Sequence, residues 1–411
     1  MNLLLEDGTM VARQIVKAVA AGLLVVGLST PAFASGTLTN KFTDYNTVDV
    51  KDTVNVMDYG MATAIGDFDD IAGVQTFVSA VRKDDGNLRV SAYYVNTTTN
   101  TKLGADIEDG GAMNDVAIDR VGSSGLVVAA VEMNDRSLKF IAYDVTTGTN
   151  GRTIDRLNDH IPSIPDLSFV SDVQIARVGS LNRGQFVTIV RRQDGTMRLD
   201  SWKVVRNNNN TVTFTWLDFV DGGLQIGDEI AMIRNTTNLW QFATVHKNSN
   251  DLMNIRVWNV DQDASGSINF LSGVVYGTSI EGFDVAFSSQ RLLTARYKSD
   301  GTTVIEMWNV DPFTNQISLD ASGSLSTGSS NGVQIFDMGG GDLVLLRENI
   351  LGSLFQNTLS TSGSVITLDP GGDQHMFTDG FSGVDGGDGR LFYAIADADV
   401  NKLTHQLWLH Q

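Results

Sequence analysis

Four arginines and a histidine recur at one position of a repeated pattern in a chain that is otherwise strongly acidic. The position lies 11 or 12 residues before a bulky side chain, and the seven units fill it with Arg82, Glu132, Arg191, His246, Arg296, Arg347 and Ala396. A ring of guanidinium groups could hold carboxylates, sulfates or phosphates in bidentate geometry. The basic members of this column, Arg82, Arg191, His246, Arg296 and Arg347, are therefore candidate ligand-binding residues.

The same column has a second interpretation, because acidic residues stand near the starts of the preceding predicted strands. These acids are Asp115, Asp172, Glu229 and Glu281. Repeated charges in a repeat protein often serve the repeat itself, so each arginine could pair with an acid of its own or the next unit. Ligand binding and structural pairing both remain open for the column.

A second candidate site resembles the start of a calcium loop. In DQDASGSIN, oxygen ligands would come from Asp261, Asp263 and Ser265, and Gly266 would form the sharp turn. Ser272 stands at the twelfth position, where a bidentate Glu is expected, and the segment lies between predicted strands instead of helices. Calcium is thus one candidate cofactor, and an ordinary hairpin connection is the alternative.

Catalytic residues are harder to assign. The chain has no cysteine, and its five histidines show no metal-ligand spacing such as H-E-x-x-H. His375 falls in a predicted connection between units that could face a channel mouth. An enzymatic interpretation, a hydrolase or lyase acting on a glycan, lactone or ester, would use Asp67, Asp119 and Asp284 near the predicted inner strands.

The repeat that positions these residues is an apolar strand, a turn rich in Asp, Asn and Gly, and an alternating strand with a bulky residue near its end. That bulky column reads Tyr93, Tyr143, Trp202, Trp258, Trp308, Leu359 and Trp408. Each unit carries one further strand before and one after this hairpin, which predicts four antiparallel strands per period of about 50 residues. The sequence therefore predicts an all-β, seven-bladed β-propeller with four-stranded antiparallel blades.

The last unit ends after its third strand, so a segment from elsewhere must complete it. We predict that DTVNVMDY, from Asp52, supplies this strand and closes the ring. The expected organisation is a signal peptide over residues 1–34, a polar lead-in over 35–51 and the propeller over 52–411.

The bulky column is expected to be core, packed between neighbouring blades. Trp216, Trp240 and Phe313 lie outside it and are candidates for stacking on a carbohydrate.

The ends of the third strands, Tyr143-Asp144, Trp258-Asn259 and Trp308-Asn309, resemble WD-repeat propellers, in which an aromatic and a polar residue end that strand. The Gly-His pair that opens WD repeats is absent. The units are also similar to repeats of poorly characterised bacterial secreted propellers, a likeness that implies fold and compartment but not activity.

The N-terminus has the features of an export signal. A basic stretch from Met10 to Lys17 precedes an apolar run from Ala18 to Leu28, and Ala32-Phe33-Ala34 is a small-x-small cleavage site. Translation could start at Met1 or at Met10. The mature protein is expected to be secreted or periplasmic.

A net charge of -19 argues against nucleic acid and anionic membranes as partners. We expect a monomeric, non-catalytic recognition or scaffold propeller that binds a protein or carbohydrate ligand through loops at one channel mouth, with no membrane insertion.

Overall fold

A computed structural model describes most of the chain beyond residue 37. The described residues are 38–47, 61–66, 74–83, 86–96, 101–109, 113–123, 125–148, 151–164, 167, 169–235, 237–262, 265–277, 280–288, 291–311, 314–326, 330–339, 342–349, 353–362, 364–368, 373–377, 380–387, 390–397 and 402–410. The predicted signal peptide, residues 1–34, lies outside them.

The described residues are nearly all β-strand. The strands are β1 Leu38–Thr47, β2 Met61–Gly66, β3 Val74–Arg82, β4 Leu88–Asn96, β5 Thr101–Asp109, β6 Met113–Arg120, β7 Leu126–Met133, β8 Leu138–Gly148, β9 Gly151–His160, β10 Val170–Val178, β11 Gln185–Arg192, β12 Thr196–Arg206, β13 Val212–Arg234 and β14 Gln241–Asn248. They continue with β15 Met253–Val260, β16 Ile268–Tyr276, β17 Ile280–Ser288, β18 Arg291–Lys298, β19 Thr302–Val310, β20 Ile317–Ser326, β21 Ser330–Gly339, β22 Asp342–Asn349, β23 Ser353–Ser362, β24 Val365–Leu368, β25 Asp373–Phe377, β26 Gly380–Gly387, β27 Arg390–Asp397 and β28 Lys402–His410.

All the described strand pairs are antiparallel, and they divide into groups that we call blades. Blade 1 is β2–β5, blade 2 is β6–β9, blade 5 is β17–β20, and blade 7 is β26-β27-β28-β1. Blade 6 is β21–β24, with β25 also paired to β23. Blades 3 and 4 share the long strand β13, whose first part pairs with β12 and whose last part pairs with β14. Seven groups result from the described strands.

The first strand of each blade, its inner strand, contacts the inner strands of the two neighbouring blades. These contacts run in order through β2, β6, β10, β13, β17, β21 and β26, and β26 contacts β2 again. The inner strands thus follow one another around a circle, which is the arrangement that lines a propeller channel.

The strand that completes blade 7 is β1. Its residues pair with β28 from Leu38 opposite His410 to Thr47 opposite Lys402. The segment from Asp52, predicted to fill this place, lies outside the described residues, and the closing strand instead falls in the stretch that was expected to be a polar lead-in. The physical reason is that an outermost strand is held mainly by backbone hydrogen bonds and does not require an apolar face. The polar sequence LTNKFTDYNT therefore lacks the alternating pattern that would predict a strand.

Tight turns connect the second and third strands of the blades. Gly195 and Gly301 have φ values of 77° and 81°, and each N–H donates to the carbonyl three residues earlier at 2.9 Å. Arg136 and Asp251 hold the same left-handed conformation in blades 2 and 4, with φ values of 69° and 55°. Glycine adopts this conformation readily and aspartate tolerates it, whereas Arg136 is a residue type that rarely does so.

The core lies between adjacent blades. Phe140 of blade 2, for example, packs edge-on against Phe186 and Trp202 of blade 3, with ring centroids 5.6 and 4.8 Å apart. The described members of the bulky column are buried at 0–1% exposure, as expected of core: Tyr143, Trp202, Trp258, Trp308 and Leu359. The side chains of Tyr93 and Trp408 lie outside the described set.

The three buried tryptophans share one polar contact. Each indole N–H donates to a threonine hydroxyl on the second strand of the same blade, at 2.9–3.0 Å: Trp202 to Thr188, Trp258 to Thr244, and Trp308 to Thr294. A buried indole without such a partner would lose the hydrogen bond it makes in water. Among the described residues, no helix is long and apolar enough to cross a membrane.

Candidate functional site

The predicted ligand-binding column lies largely inside the blade interfaces. The exposed fractions are 0% for His246, 5% for Arg296 and 6% for Arg347, while Arg82 and Arg191 are half-buried. A ligand arriving from solvent has almost no access to the first three side chains. Ligand binding by these residues stays a prediction, and the contacts below give the structural interpretation of the column.

Arg296 is part of a buried polar chain. Its Nε and Nη2 donate to Oε1 of Glu306 at 3.0 and 2.8 Å. Thr294 donates to Oε2 of Glu306 at 3.0 Å and accepts the indole N–H of Trp308. Glu306 is 0% exposed, so the guanidinium neutralises a carboxylate that would otherwise be buried alone. The acid lies on the third strand of the blade, not on the inner strand where it was expected.

Arg347 occupies the same place in blade 6 with a neutral partner. Its Nε donates to Oδ1 of Asn357 at 3.0 Å, and its guanidinium carbon lies 4.4 Å from the centroid of the Phe355 ring. Burial lowers the pKa of Arg347 to about 10. In blade 3, Arg191 donates from Nη1 to the hydroxyl of Ser171 at 3.3 Å.

His246 is a buried neutral imidazole. Burial, and secondarily the positive charge of Arg256, lowers its pKa to about 3. Neither ring nitrogen hydrogen-bonds to any described atom. The residue belongs to the interface between blades 3 and 4, beside the Trp258–Thr244 pair.

Two of the inner-strand acids expected to pair with the arginine column, Asp115 and Asp172, link neighbouring blades. Asp115 accepts the backbone N–H of Val173 at 3.1 Å, and Asp172 accepts that of Ile230 at 3.0 Å. Each carboxylate thus stabilises the inner strand of the next blade. Glu281 is exposed, and the side chain of Glu229 lies outside the described set.

Two of the three acids proposed for catalysis make the same kind of link. Asp119 accepts the N–H of Arg177 at 2.6 Å, and Asp284 accepts that of Ile335 at 2.9 Å. Burial raises the pKa of Asp284 to about 6. Asp67 lies outside the described residues. These contacts account for Asp119 and Asp284 without a catalytic role.

A different arginine set meets at the inner strands. Arg120 and Arg234 are the last residues of β6 and β13, and Arg177 is the residue before the last of β10. They lie opposite Val127, Phe186 and Phe242 of the second strands. Val127, Phe186 and Phe242 in turn pair with the bulky column, so the three arginines hold equivalent positions. We call Arg120, Arg177 and Arg234 the arginine cluster.

The members of the arginine cluster are close enough to affect one another's ionisation. Burial lowers the pKa of Arg177 to about 10; the positive charges of Arg234 and Arg120 add to this, and Asp119 opposes it. Burial also lowers the pKa of Arg234, again against the opposing charge of Asp119. Arg120 is 8% exposed, and the other two are half-buried.

Two members of the cluster, Arg177 and Arg234, have guanidinium donors without a described acceptor. Nε of Arg177 and Nη1 of Arg234 are buried and hydrogen-bond to no described atom. Asp119, the acid that acts on both, already accepts the backbone N–H groups of Arg120 and Arg177 at 2.7 and 2.6 Å. An anionic guest would supply acceptors for these donors. Arg296 and Arg347 each have one such nitrogen too, so it is the gathering of three guanidinium groups that distinguishes the cluster.

The sequence contains a signal for the cluster in its inner strands. Arg120, Arg177 and Arg234 are each 57 residues apart and end the similar segments DVAIDR, DVQIAR and EIAMIR. The hairpin of the second and third strands defines the register of the repeat, and these inner-strand segments lie outside it.

The predicted calcium loop forms a hairpin connection. Asp261 accepts the side-chain N–H of Asn269 at 3.0 Å, and the hydroxyl of Ser265 lies 3.0 Å from that of Ser267. Asp263 lies outside the described residues, among which no group of three metal-ligating side chains occurs. Calcium binding stays a prediction.

Among the stacking candidates, Trp216 is 41% exposed and stacks on Phe219 at 5.6 Å, while its indole N–H donates to Asp200 at 2.9 Å. Trp240 is half-buried. Phe313 lies outside the described residues.

His375, expected in a connection near the channel mouth, lies on β25, which pairs with the third strand of blade 6 and not with an inner strand.

Comparisons with known proteins find similarity only in structure. No protein-family model matches the sequence, and no curated protein matches it. A provisionally assigned 6-phosphogluconolactonase from Bacteroides uniformis superposes with a TM-score of 0.52 at 11% identity, over 77% of this chain and 85% of that chain.

Two further solved structures align with lower scores. Sqt1 from Chaetomium thermophilum gives 0.49 at 11% identity, over 91% of this chain and 100% of that chain. The Cps50 (Swd1) β-propeller domain from Myceliophteria thermophila gives 0.47 at 12% identity, over 89% and 99%. At such identities similarity extends to fold alone. Together with the four-stranded antiparallel blades, it confirms the prediction that this chain has the all-β propeller fold.

Proposed function

We propose that this chain is an exported, non-catalytic recognition propeller that binds an anionic group at the arginine cluster. The observation that carries the proposal is the gathering of Arg120, Arg177 and Arg234 on three consecutive inner strands around one carboxylate. Export follows from the signal-like sequence over residues 1–34.

Electrostatics favour a binding role for the cluster over a structural one. Like charges held together out of water destabilise the folded protein unless something neutralises them. Structural pairing in this chain looks different, because Arg296 is matched one to one with Glu306. Three guanidinium groups gathered near a single described carboxylate, in a protein of net charge -19, are the pattern expected of a site for a carboxylate, phosphate or sulfate.

The test measures binding of acetate, phosphate and sulfate by calorimetry at low ionic strength. We expect Arg177→Gln and Arg234→Gln each to weaken binding of the best anion by about tenfold or more, because each removes charge-assisted hydrogen bonds. Since each substitution also relieves repulsion, the melting temperature should stay constant or rise.

Arg183→Gln is the matched control, because it removes the same charge from an exposed position on a short 3-10 turn, Leu181–Arg183. It should leave anion binding unchanged. If Arg183→Gln and Arg177→Gln weaken anion binding equally, the effect comes from net charge and not from the arginine cluster. A wild-type protein that binds none of the three anions would refute the proposal.

A further inference from the structure

The outer strand of blade 3 carries two aromatic side chains that are open to solvent. Trp216 and Phe219 lie on β13, and each is 41% exposed. Trp216 lies opposite Trp202 and Phe219 opposite Asp200, with a register shift between these two pairs. The shift brings both rings to one face of the strand, where their centroids are 5.6 Å apart. We call Trp216 and Phe219 the aromatic pair.

A buried ion pair fixes the orientation of both rings. The indole N–H of Trp216 donates to Oδ1 of Asp200 at 2.9 Å, and Asp200 is 0% exposed. Arg198 donates to the same carboxylate in bidentate fashion, from Nε to Oδ2 and from Nη2 to Oδ1, each at 2.9 Å. The guanidinium carbon of Arg198 also lies 4.4 Å from the centroid of the Phe219 ring. The two exposed rings therefore rest on one buried pair.

The stability of the core does not require this arrangement. Trp202, which is buried, satisfies its indole N–H with the neutral hydroxyl of Thr188. The exposed indole of Trp216 could donate to water instead, and taking an Arg–Asp pair out of water costs free energy that its hydrogen bonds often do not recover. The result is an exposed ring held in one orientation, which lowers the side-chain entropy lost when a ligand binds it.

The area of the aromatic pair limits what can bind to it. An aromatic side chain offers about 150–250 Å² in all, so two rings that are each 41% exposed present about 200 Å² at most. A stable protein partner needs about 800 Å² on each side. The aromatic pair is thus too small for a protein interface by itself, and it matches one or two sugar rings.

The chemistry around the aromatic pair also suits a sugar. A pyranose presents C–H groups on its faces and hydroxyls at its edge, and the negative face of an aromatic ring attracts polarised C–H groups. Asp221 lies two residues beyond Phe219 on β13, is exposed, and is held by Nη2 of Arg192 at 2.6 Å. Burial, and to a smaller extent the charge of Asp221, raises the pKa of Asp200, so the two carboxylates are close. An apolar surface bordered by a few polar groups is typical of a small-ligand site.

We propose that the aromatic pair is a carbohydrate-binding site, in which Trp216 and Phe219 pack on the face of a pyranose ring and Asp221 accepts a sugar hydroxyl. Asp200 and Arg198 are positioning residues that act through the two rings. The site lies on an outer strand, whereas the arginine cluster lies on inner strands, so it adds a second binding function to the proposed one. A net charge of -19 favours neutral sugars over acidic ones.

The test is affinity electrophoresis of the wild-type protein in native gels that contain laminarin, hydroxyethylcellulose or galactomannan. We expect at least one of these neutral polysaccharides to retard the protein. Trp216→Ala should weaken this binding tenfold or more, because it removes the larger ring of the site. Trp216→Phe keeps a ring but loses the hydrogen bond to Asp200, so it should weaken binding less, and it provides the test if the alanine variant does not fold.

Phe270→Ala is the matched control. Phe270 lies opposite Trp258 on the outer strand of blade 4, as Trp216 lies opposite Trp202 in blade 3, and it is 54% exposed. Its ring lies 5.3 Å from the guanidinium carbon of Arg256. Because this ring lies on another blade, its removal should leave polysaccharide binding unchanged.

Three outcomes would overturn the inference. In the first, none of the polysaccharides retards the wild type. In the second, Phe270→Ala weakens binding as much as Trp216→Ala, so that any exposed ring suffices. In the third, size-exclusion chromatography shows a wild-type dimer that Trp216→Ala converts to a monomer, which makes the aromatic pair part of an interface between two copies. Each of these leaves anion binding at the arginine cluster to its own test.

Discussion

Arg296 and Arg347 occupy the same position in neighbouring blades, but their partners differ in charge. Arg296 contacts the buried carboxylate of Glu306, whereas Arg347 contacts the amide of Asn357. Removing the first arginine leaves a charge without compensation in the interior, and removing the second leaves only a neutral acceptor. The two positions therefore separate the energetics of a buried ion pair from those of a buried hydrogen bond.

Arg296→Met should lower the free energy of unfolding by about 3–5 kcal/mol, because it strands the carboxylate of Glu306. Arg347→Met should cost less, about 1–3 kcal/mol, because its lost partner is neutral. Urea denaturation of both variants measures the difference. The double variant Arg296→Met/Glu306→Met should recover much of the loss, and a double variant as unstable as the single one would contradict the ion-pair account.

His246 gives the protein a specific acid sensitivity. In the unfolded chain its pKa returns to 6.5, whereas burial holds the folded value at about 3. Between these pH values the imidazole is protonated in the unfolded state but not in the folded state. The free energy of unfolding therefore decreases as the pH falls. The slope for one such group approaches about 1.4 kcal/mol per pH unit.

We expect His246→Leu to be less sensitive to acid than the wild type between pH 6 and 4, when unfolding free energies are compared at each pH. Subtracting the two curves cancels the carboxylates that both proteins share. Parallel curves would show that protonation of His246 is not linked to unfolding. At pH 7 the variant should be at least as stable, since leucine removes a buried polar ring.

Among the strands, β1 has the clearest separate role, because it pairs with β28 and so joins the two ends of the propeller. A protein that begins at Val48 should expose the edge of β28, lose melting temperature and associate through that edge. A protein that begins at Gly36 keeps the strand and serves as the control. Size-exclusion chromatography measures the association and thermal unfolding measures the melting temperature. If the two proteins give the same values, β1 is not needed to close the propeller.

The blades could be predicted from the sequence because buried strand positions require large apolar residues, which recur from blade to blade. The second and third strands face two blade interfaces, so residues such as Trp202 and Trp258 must be large and apolar and recur visibly. The closing strand was misplaced because Leu38–Thr47 is defined by backbone pairing, which leaves little trace in side-chain type.

The candidate site was harder to predict than the blades. The charged column was conspicuous in the sequence, which left ligand binding and structural pairing both open; at Arg296 the structure shows pairing with Glu306. Arg177 and Arg234 were overlooked because the function of an inner strand depends on what the neighbouring blades place beside it. Which residues of different blades come together depends on how the blades are arranged around the circle. The sequence of a single repeat does not show this arrangement.

Considered as a whole, the molecule combines a strongly negative net charge with a local basic cluster. Long-range repulsion from a net charge of -19 slows the approach of anions, while the arginine cluster acts at short range. Salt screens the long-range repulsion more than the short-range attraction to the arginine cluster, because partly buried groups are less accessible to salt. Moderate salt should therefore hinder anion capture less than it would at an exposed basic surface.

The shared strand β13 has a mechanical consequence. It runs without a break from the outer edge of blade 3, where Trp216 lies, to Arg234 in the arginine cluster. Its hydrogen-bonded partner changes from β12 to β14 between Gln225 and Ile230, where the register shifts. Any tilt of blade 4 against blade 3 must therefore bend the backbone of β13 at this crossing.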